Sequence, residues 1–131
     1  MKIGIDFWGT ISHNPDYFRN LAWFYMQDMV GPFGKTHRNE VHVISSIGPR
    51  RAGTIEQEVT ALNVPFTAVH ELVFRHPSQS PALKVTKCLE LGIEYFYDDR
   101  QDVVDALNKA GIICFKVPRL GNESDVQSER R

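Results

Sequence analysis

Short apolar runs alternate with longer segments of helical periodicity along most of this chain. Apolar or β-branched runs that predict buried strands occupy residues 2–5, 41–45, 66–74, 93–97 and 112–117. Apolar residues at spacings of three and four predict helices over residues 16–30, 52–62, 80–91 and 103–110. Strands separated by helices favour a parallel sheet with crossover connections. We therefore predict an α/β fold, a three-layer sandwich with helices on both faces of a five-stranded parallel sheet.

The first predicted helix follows the capping pair Asn14-Pro15 and has a wide apolar surface. Its large apolar residues are Phe18, Leu21, Ala22, Phe24, Tyr25, Met29 and Val30. Trp23 widens this surface, and we interpret it as packing in the core or at its edge. The alternative is a platform on which a nucleic-acid base stacks.

Composition indicates one ordinary globular domain. The chain has 131 residues, of which 42% are hydrophobic and 24% charged, enough for a single core. We expect residues 1–120 to form this domain and the polar residues 121–131 to form a flexible tail. A formal charge of −1 predicts no general attraction to nucleic acid or to an anionic membrane. Because no apolar run is long enough to span a membrane and no signal-peptide pattern is present, we expect a cytoplasmic protein.

Cysteine and histidine give no sign of a zinc site. Cys88 and Cys114 fall in a predicted helix and a predicted strand, and we interpret both as buried thiols, with a disulfide as the alternative. His42 lies in the middle of a predicted strand among apolar residues. A histidine in that setting is more often packed or hydrogen-bonded than bound to a metal.

Polar side chains follow three of the predicted strands at the point where each strand ends. Asp6 follows the first strand, Ser45 ends the second, and Asp98, Asp99 and Asp102 follow the fourth. The carboxyl ends of parallel strands meet at one edge of a sheet, where open α/β folds bind their ligands. We therefore expect these side chains to lie together, although Ser45 has the alternative role of capping the next helix.

A group of carboxylates at one edge predicts a metal ion and phosphate chemistry. Carboxylates repel one another, and Mg²⁺ offsets that repulsion while also neutralising a bound phosphate. One carboxylate is then free to attack phosphorus, and a lysine is needed to hold both anions together. Lys84 is the first choice for this lysine and Lys87 the second. We interpret Arg50 and Arg51, after the second strand, as solvated, with phosphate binding as the alternative.

The first motif resembles that of the haloacid dehalogenase superfamily, whose members are mostly Mg²⁺-dependent phosphatases. In that family an apolar strand is followed by Asp-x-Asp-Gly-Thr, and residues 5–10 match this pattern except at Trp8, where the family has its second Asp. The similarity extends from Lys2 to about Pro118. By this resemblance, the five predicted strands should have the order 5-4-1-2-3.

The other motifs of the family have counterparts at the expected places. The second motif, an apolar strand that ends in Ser or Thr, is similar to residues 41–45, and the lysine motif is similar to Lys84. The fourth motif, an apolar strand that ends in an acidic pair, resembles residues 95–102. Within it, Asp98 and Asp102 have the Asp-x-x-x-Asp spacing of the family.

The resemblance implies a role for each of these residues. Asp6 would be the nucleophile, and Asp6, Asp98 and the backbone carbonyl of Trp8 would bind Mg²⁺. Asp99 or Asp102 would support the metal. Ser45 and Lys84 would complete the catalytic group by holding the phosphate, and the substrate-binding residues would be Gly9, Thr10, Ser46 and Arg100.

Trp8 departs from the family pattern at a chemically important position. In the family's phosphatases the second Asp protonates the leaving oxygen and then activates water, and an indole ring does neither. The resemblance therefore implies a phosphomonoesterase-type phosphohydrolase that acts slowly through an aspartyl-phosphate. The alternative is a catalytically degenerate phosphate-binding or interaction protein that keeps the fold and the metal site.

Two short connections exclude the cap domain that many relatives carry. Family members insert a cap after the first or the third strand, but segments 11–15 and 75–80 are too short to hold one. Capless members have open sites that suit macromolecular ends, or they borrow cover from another subunit. The expected partner is a phosphorylated substrate: a small molecule, a nucleotide or a macromolecular end. The chain could also form a homo-oligomer. No membrane partner is expected.

Overall fold

Five parallel strands form the centre of the fold in the computed structural model, which describes residues 1–27, 29–30, 34 and 36–118. These five strands are β1 (Lys2–Ile5), β4 (Glu40–Ile47), β5 (Ala68–Val73), β6 (Tyr95–Asp98) and β7 (Ile113–Lys116). Two short strands, β2 (Met29–Val30) and β3 (Thr36–His37), form a separate pair. The helices are α1 (Pro15–Tyr25), α2 (Ile55–Ala61), α3 (Ser80–Leu91) and α4 (Gln101–Lys109).

The main sheet has the strand order β5-β4-β1-β6-β7, and every neighbouring pair is parallel. This order is the predicted 5-4-1-2-3 read from the opposite edge, so both the fold class and the strand order are confirmed. In the part of the chain that the structure describes, no cap domain interrupts the connections after β1 and β5. The antiparallel pair β2-β3 was not predicted, because two-residue strands are too short to show an alternating pattern.

Each face of the sheet has its own hydrophobic core. On one face, side chains of α1 and α2 such as Phe18 and Val59 pack against β1 and β4. On the other face, side chains of α3 and α4 such as Cys88 and Leu107 pack against β4 and β6.

Helix α1 is shorter than predicted and exposes part of its apolar surface. It ends at Tyr25 and not at residue 30, and Met29 and Val30 lie in β2. The prediction that Trp23 packs in the core or at its edge is wrong, because 63% of Trp23 is exposed, and Phe24 is 67% exposed. Phe18 and Ala22 supply the fully buried stripe at a spacing of four residues, and Leu21 and Tyr25 pack beside it, whereas Trp23 and Phe24 lie outside this stripe.

Three further predictions concern the two cysteines, membrane-spanning helices and the C-terminal tail. Cys88 and Cys114 are buried and unbridged, as expected. Within the described ranges, no helix has both the length and the apolar character needed to cross a bilayer. The predicted tail, residues 121–131, lies outside the described residues.

Substitution of Gly4 by alanine is expected to destabilise the fold by about 1–3 kcal/mol, the usual range for overpacking a core. A Cβ atom on Gly4 would lie 2.5 Å from Cδ2 of the Phe96 ring, and that ring is fully buried beside β1. Chemical denaturation would measure the loss. The double variant Gly4→Ala, Phe96→Leu should lose less stability than the two single variants together, and simple additivity would contradict the steric explanation.

Candidate active site

The carboxyl edge of the sheet brings three aspartates into one buried cluster. Asp6 directly follows β1, Asp98 is the last residue of β6, and Asp99 comes next. Asp6 and Asp98 are fully buried, and Asp99 is 2% exposed. One carboxylate oxygen from each lies within 4.8 Å of the other two. Adjacent parallel strands that end in acidic residues therefore produce the predicted cluster.

Lys84 connects the two strands that carry these carboxylates. It lies about one turn into α3 and is fully buried. Its Nζ donates to Asp6 Oδ1 at 2.9 Å and to Asp98 Oδ2 at 2.7 Å. Lys87, the second choice, instead pairs with Glu90 at 3.1 Å near the surface. The structure thus brings Lys84, and not Lys87, to the carboxyl edge.

Two hydroxyl groups complete the immediate surroundings of Asp6. Ser45 Oγ donates to Asp6 Oδ1 at 3.2 Å. Thr10 Oγ1 lies 3.3 Å from both Asp6 Oδ2 and Asp99 Oδ1, so it links the ends of β1 and β6. Ser46 points to the opposite face, because side chains alternate along a strand, and its Oγ lies 2.5 Å from Ser80 Oγ at the start of α3.

The turn after β1 returns Thr10 to the side chain of Asp6. Trp8 has an extended backbone, and Gly9 adopts φ +80° and ψ −12°, a left-handed conformation that glycine adopts without strain. The Gly9 N–H donates to Ser12 Oγ at 2.9 Å, and the Ser12 N–H donates to the Phe7 carbonyl at 2.9 Å. Gly9 therefore shapes the turn, and its N–H is bound by Ser12 within the turn.

The side chain of Trp8 is partly buried against a cation. The guanidinium carbon of Arg51 lies 5.1 Å from the centroid of the Trp8 ring, which is within the range of a cation–π contact. Arg51 comes from the loop after β4, so this contact connects the loop after β1 with the loop after β4. Sequence reasoning treated the two positions separately and did not predict the contact.

Asp102 lies apart from the carboxylate cluster because Arg100 binds it. Arg100 donates through Nε to Asp102 Oδ1 at 3.0 Å and through a terminal nitrogen to Oδ2 at 2.6 Å. The Asp102 side chain is 51% exposed, whereas Asp99 lies with Asp6 and Asp98. Of the two residues left open as metal support, the structure places Asp99 in the cluster. The backbone N–H of Arg100 donates to Asp98 Oδ1 at 3.0 Å.

Lys116 is a further residue at this edge that sequence reasoning missed. Its Nζ donates to the backbone carbonyl of Asp99 at 2.6 Å, and it lies opposite Asp98 in the register of β6 and β7. The available signal was a basic residue at the end of one predicted strand and an acidic residue at the end of the predicted strand before it. Without the register, that signal could not be distinguished from an ordinary solvated lysine.

The cluster combines three carboxylates with the ammonium of Lys84 in a buried environment. Burial raises the pKa of Asp98, and the neighbouring Asp99 raises it further, while Lys84 acts in the opposite direction. Carboxylate oxygens at this spacing are suited to a hard divalent cation.

Other reactive side chains lie away from this chemistry. Burial raises the pKa of both Cys88 and Cys114 to about 12, so neither thiol is activated as a nucleophile. His42 hydrogen-bonds through Nδ1 to His70 at 2.9 Å and through Nε2 to Glu40 at 2.8 Å, which confirms it as a hydrogen-bonded residue. Burial and the nearby His42 lower the pKa of His70.

No protein-family model matches this chain, and no curated protein matches it significantly. The side chains at the carboxyl edge are therefore the basis for a functional assignment.

Proposed function

We propose that the protein is a Mg²⁺-dependent phosphohydrolase of the haloacid dehalogenase type, which acts through an aspartyl-phosphate on Asp6. The observation that carries this proposal is the buried Lys84 ammonium shared by Asp6 and Asp98, beside a third carboxylate, Asp99. Burying charged groups is costly unless they are paired, and here one ammonium pairs with two carboxylates beside a third. A phosphoryl-transfer site gives each of these groups a use.

The donor set at the edge fits Mg²⁺. All three side chains offer oxygen, which hard cations prefer, and Mg²⁺ takes only one or two carboxylates together with substrate oxygens and water. Asp6 and Asp98 would hold the ion with the Trp8 backbone carbonyl, and Asp99 would support it. When bound, the ion would supply charge neutralisation for the phosphoryl oxygens.

Asp6 would perform the covalent step. Its carboxylate attacks phosphorus, the ester oxygen leaves with its electron pair, and an acyl phosphate forms. Water then attacks phosphorus, which releases inorganic phosphate and restores the carboxylate. Lys84 and Ser45 both donate to Asp6 Oδ1, so both lie beside the nucleophile, where phosphoryl oxygens would replace the Asp6 carboxylate as their acceptor.

Trp8 favours a second candidate, a phosphate-binding or interaction protein without turnover. Its indole, held against Arg51, cannot protonate a leaving oxygen. Two esters distinguish the candidates: an activated aryl phosphate, whose leaving group needs little protonation, and an alkyl phosphate, which needs it strongly. The phosphohydrolase should turn over the aryl ester far faster than the alkyl ester in the presence of Mg²⁺. Binding of Mg²⁺ and phosphate with no turnover of either ester would favour the second candidate.

Magnesium is expected to raise the melting temperature of the protein, because binding to the folded state alone stabilises it. The Asp98→Asn variant should lose this Mg²⁺-dependent increment, since it removes a direct ligand. Asp102→Asn is the matched control, because Asp102 is half exposed and paired with Arg100 outside the cluster. Differential scanning calorimetry with and without Mg²⁺ measures the increment. An equal increment in wild type and Asp98→Asn would place the ion elsewhere.

A further inference from the structure

An aromatic cleft lies next to the carboxyl edge, between the start of α1 and the ends of β6 and β7. Its volume is about 540 Å³, within the range of small-molecule sites. The lining residues are Asn14, Tyr17, Phe18, Tyr97, Phe115, Lys116, Val117 and Pro118. Two of the lining side chains, Tyr17 and Phe115, are 60% and 44% exposed.

The lining of this cleft suits a flat aromatic group. The rings of Tyr97 and Phe115 lie 5.2 Å apart with their planes 32° from parallel, and Phe18 meets Tyr97 edge-on at 5.9 Å. Tyr17 adds an exposed ring at the rim, edge-on to Phe18 at 5.0 Å. Rings with exposed faces bind planar groups by stacking, and nucleic-acid bases stack on such side chains regardless of sequence.

A polar group within the cleft also fits a base. Asn14 Nδ2 is buried, and among the residues that the structure describes it has no hydrogen-bond acceptor. A buried donor without an acceptor is costly, and turning the Asn14 amide toward an acceptor of a ligand in the cleft would remove that cost. Bases carry nitrogen and oxygen acceptors at the edge of a flat ring, whereas a plain hydrocarbon ring carries none.

Direct bonds connect the cleft to the acidic cluster. Lys116 donates to the Asp99 carbonyl at 2.6 Å, and the Val117 N–H donates to the Asp98 carbonyl at 2.8 Å. On the other side, the Asn14 N–H donates to the carbonyl of Thr10, whose hydroxyl contacts Asp6. A turn of the chain thus separates the cleft from the nucleophile.

We propose that this cleft binds the nucleobase of a nucleotide whose terminal phosphate lies at Asp6. The inference rests on the proposed function for the position of the phosphate. Its occupant is either a free mononucleotide or the phosphorylated end of an oligonucleotide, since both present a base one sugar away from a terminal phosphate.

Saturation-transfer NMR with adenosine tests the cleft on the full chain without any phosphate. Adenosine should receive saturation, and Tyr17→Ala or Phe115→Ala should weaken its binding about tenfold, as expected for the loss of one stacking ring. Phe24→Ala is the matched control, because Phe24 is an exposed aromatic residue of α1 that does not line the cleft. Ribose 5-phosphate, which has the phosphate but no base, should bind equally to the wild type and all three variants.

Each other outcome is informative. Absence of saturation on adenosine overturns the inference, as does binding that appears only after residues 119–131 are removed. Tyr17-dependent binding of O-phosphotyrosine in place of adenosine would assign the cleft to a phosphorylated tyrosyl group instead. Comparing adenosine monophosphate with a 5′-phosphorylated oligonucleotide identifies the source of the nucleotide. Adenosine binding without turnover of any ester would keep the cleft and reject the proposed function, whereas turnover without adenosine binding would do the reverse.

Discussion

Trp8→Asp is expected to raise the rate of alkyl phosphate hydrolysis by roughly 10²–10⁴-fold, the usual contribution of a general acid–base group. The aspartate would occupy the position that carries this function in the family that the motifs resemble. The aryl phosphate should gain much less, because its leaving group needs little protonation. Arg51, which lies 5.1 Å from the Trp8 ring centroid, would favour the ionised carboxylate. We therefore expect the gain to grow as the pH is lowered.

Trp8→Asn is the control for this experiment. It removes the indole and its contact with Arg51 and introduces a polar amide side chain, which acts neither as an acid nor as a base in this pH range near neutrality. A gain with Asp but not with Asn shows that the proton is responsible. Equal gains with both would show that the bulk of the indole, and not the missing acid, limits the wild-type rate.

Lys84→Met is expected to destabilise the fold by about 3–5 kcal/mol and to abolish turnover. Removing one partner of a buried ion pair leaves the other charges uncompensated, and Lys84 is the ammonium that both Asp6 and Asp98 contact. Chemical denaturation measures the loss. Burial already raises the pKa of Asp98. A raised carboxyl pKa gives stability at low pH that is lost as the pH rises, so the deficit of the variant should shrink on acidification.

Lys87→Met is the matched control for the lysine. Lys87 lies one turn further along α3, and its ion pair with Glu90 lies at the surface, with the two side chains 28% and 62% exposed. Exposed pairs contribute about 0–1 kcal/mol, so this variant should keep nearly all its stability and its turnover. Mg²⁺ should restore part of the stability of Lys84→Met by offsetting the same carboxylates. Similar losses in the two variants would contradict the bridging role of Lys84.

The fold and the acidic cluster could both be predicted from local patterns. Asp6 and Asp98 follow apolar runs, and a parallel sheet must bring such strand ends to the same edge. Lys84 was identifiable because the start of a helix that precedes β6 lies close to that edge. Chain order and right-handed connections predict the parallel sheet, whereas the strand order and the choice of Lys84 also depended on the resemblance to a known family.

The remaining features depend on packing that no local pattern encodes. The bond from Arg100 to Asp102 decides that Asp99 and not Asp102 joins the cluster, although both fitted the spacing. The exposure of Trp23 depends on which stripe of α1 faces the sheet, and aromatic residues occur on several sides of that helix. The aromatic cleft requires the register of β6 and β7, which places Tyr97 beside Phe115.

Trapping the acyl phosphate on Asp6 tests the central claim most directly. The protein is quenched in acid during turnover of the activated aryl phosphate with Mg²⁺, and borohydride then reduces any aspartyl-phosphate to homoserine, which peptide mass spectrometry locates. Because the indole of Trp8 cannot act as a base for the attacking water, we expect the intermediate to accumulate. The predicted result is homoserine at position 6 in the wild type, and none in Asp6→Asn or without Mg²⁺. Turnover with no homoserine at position 6 would contradict the assignment of Asp6 as the nucleophile.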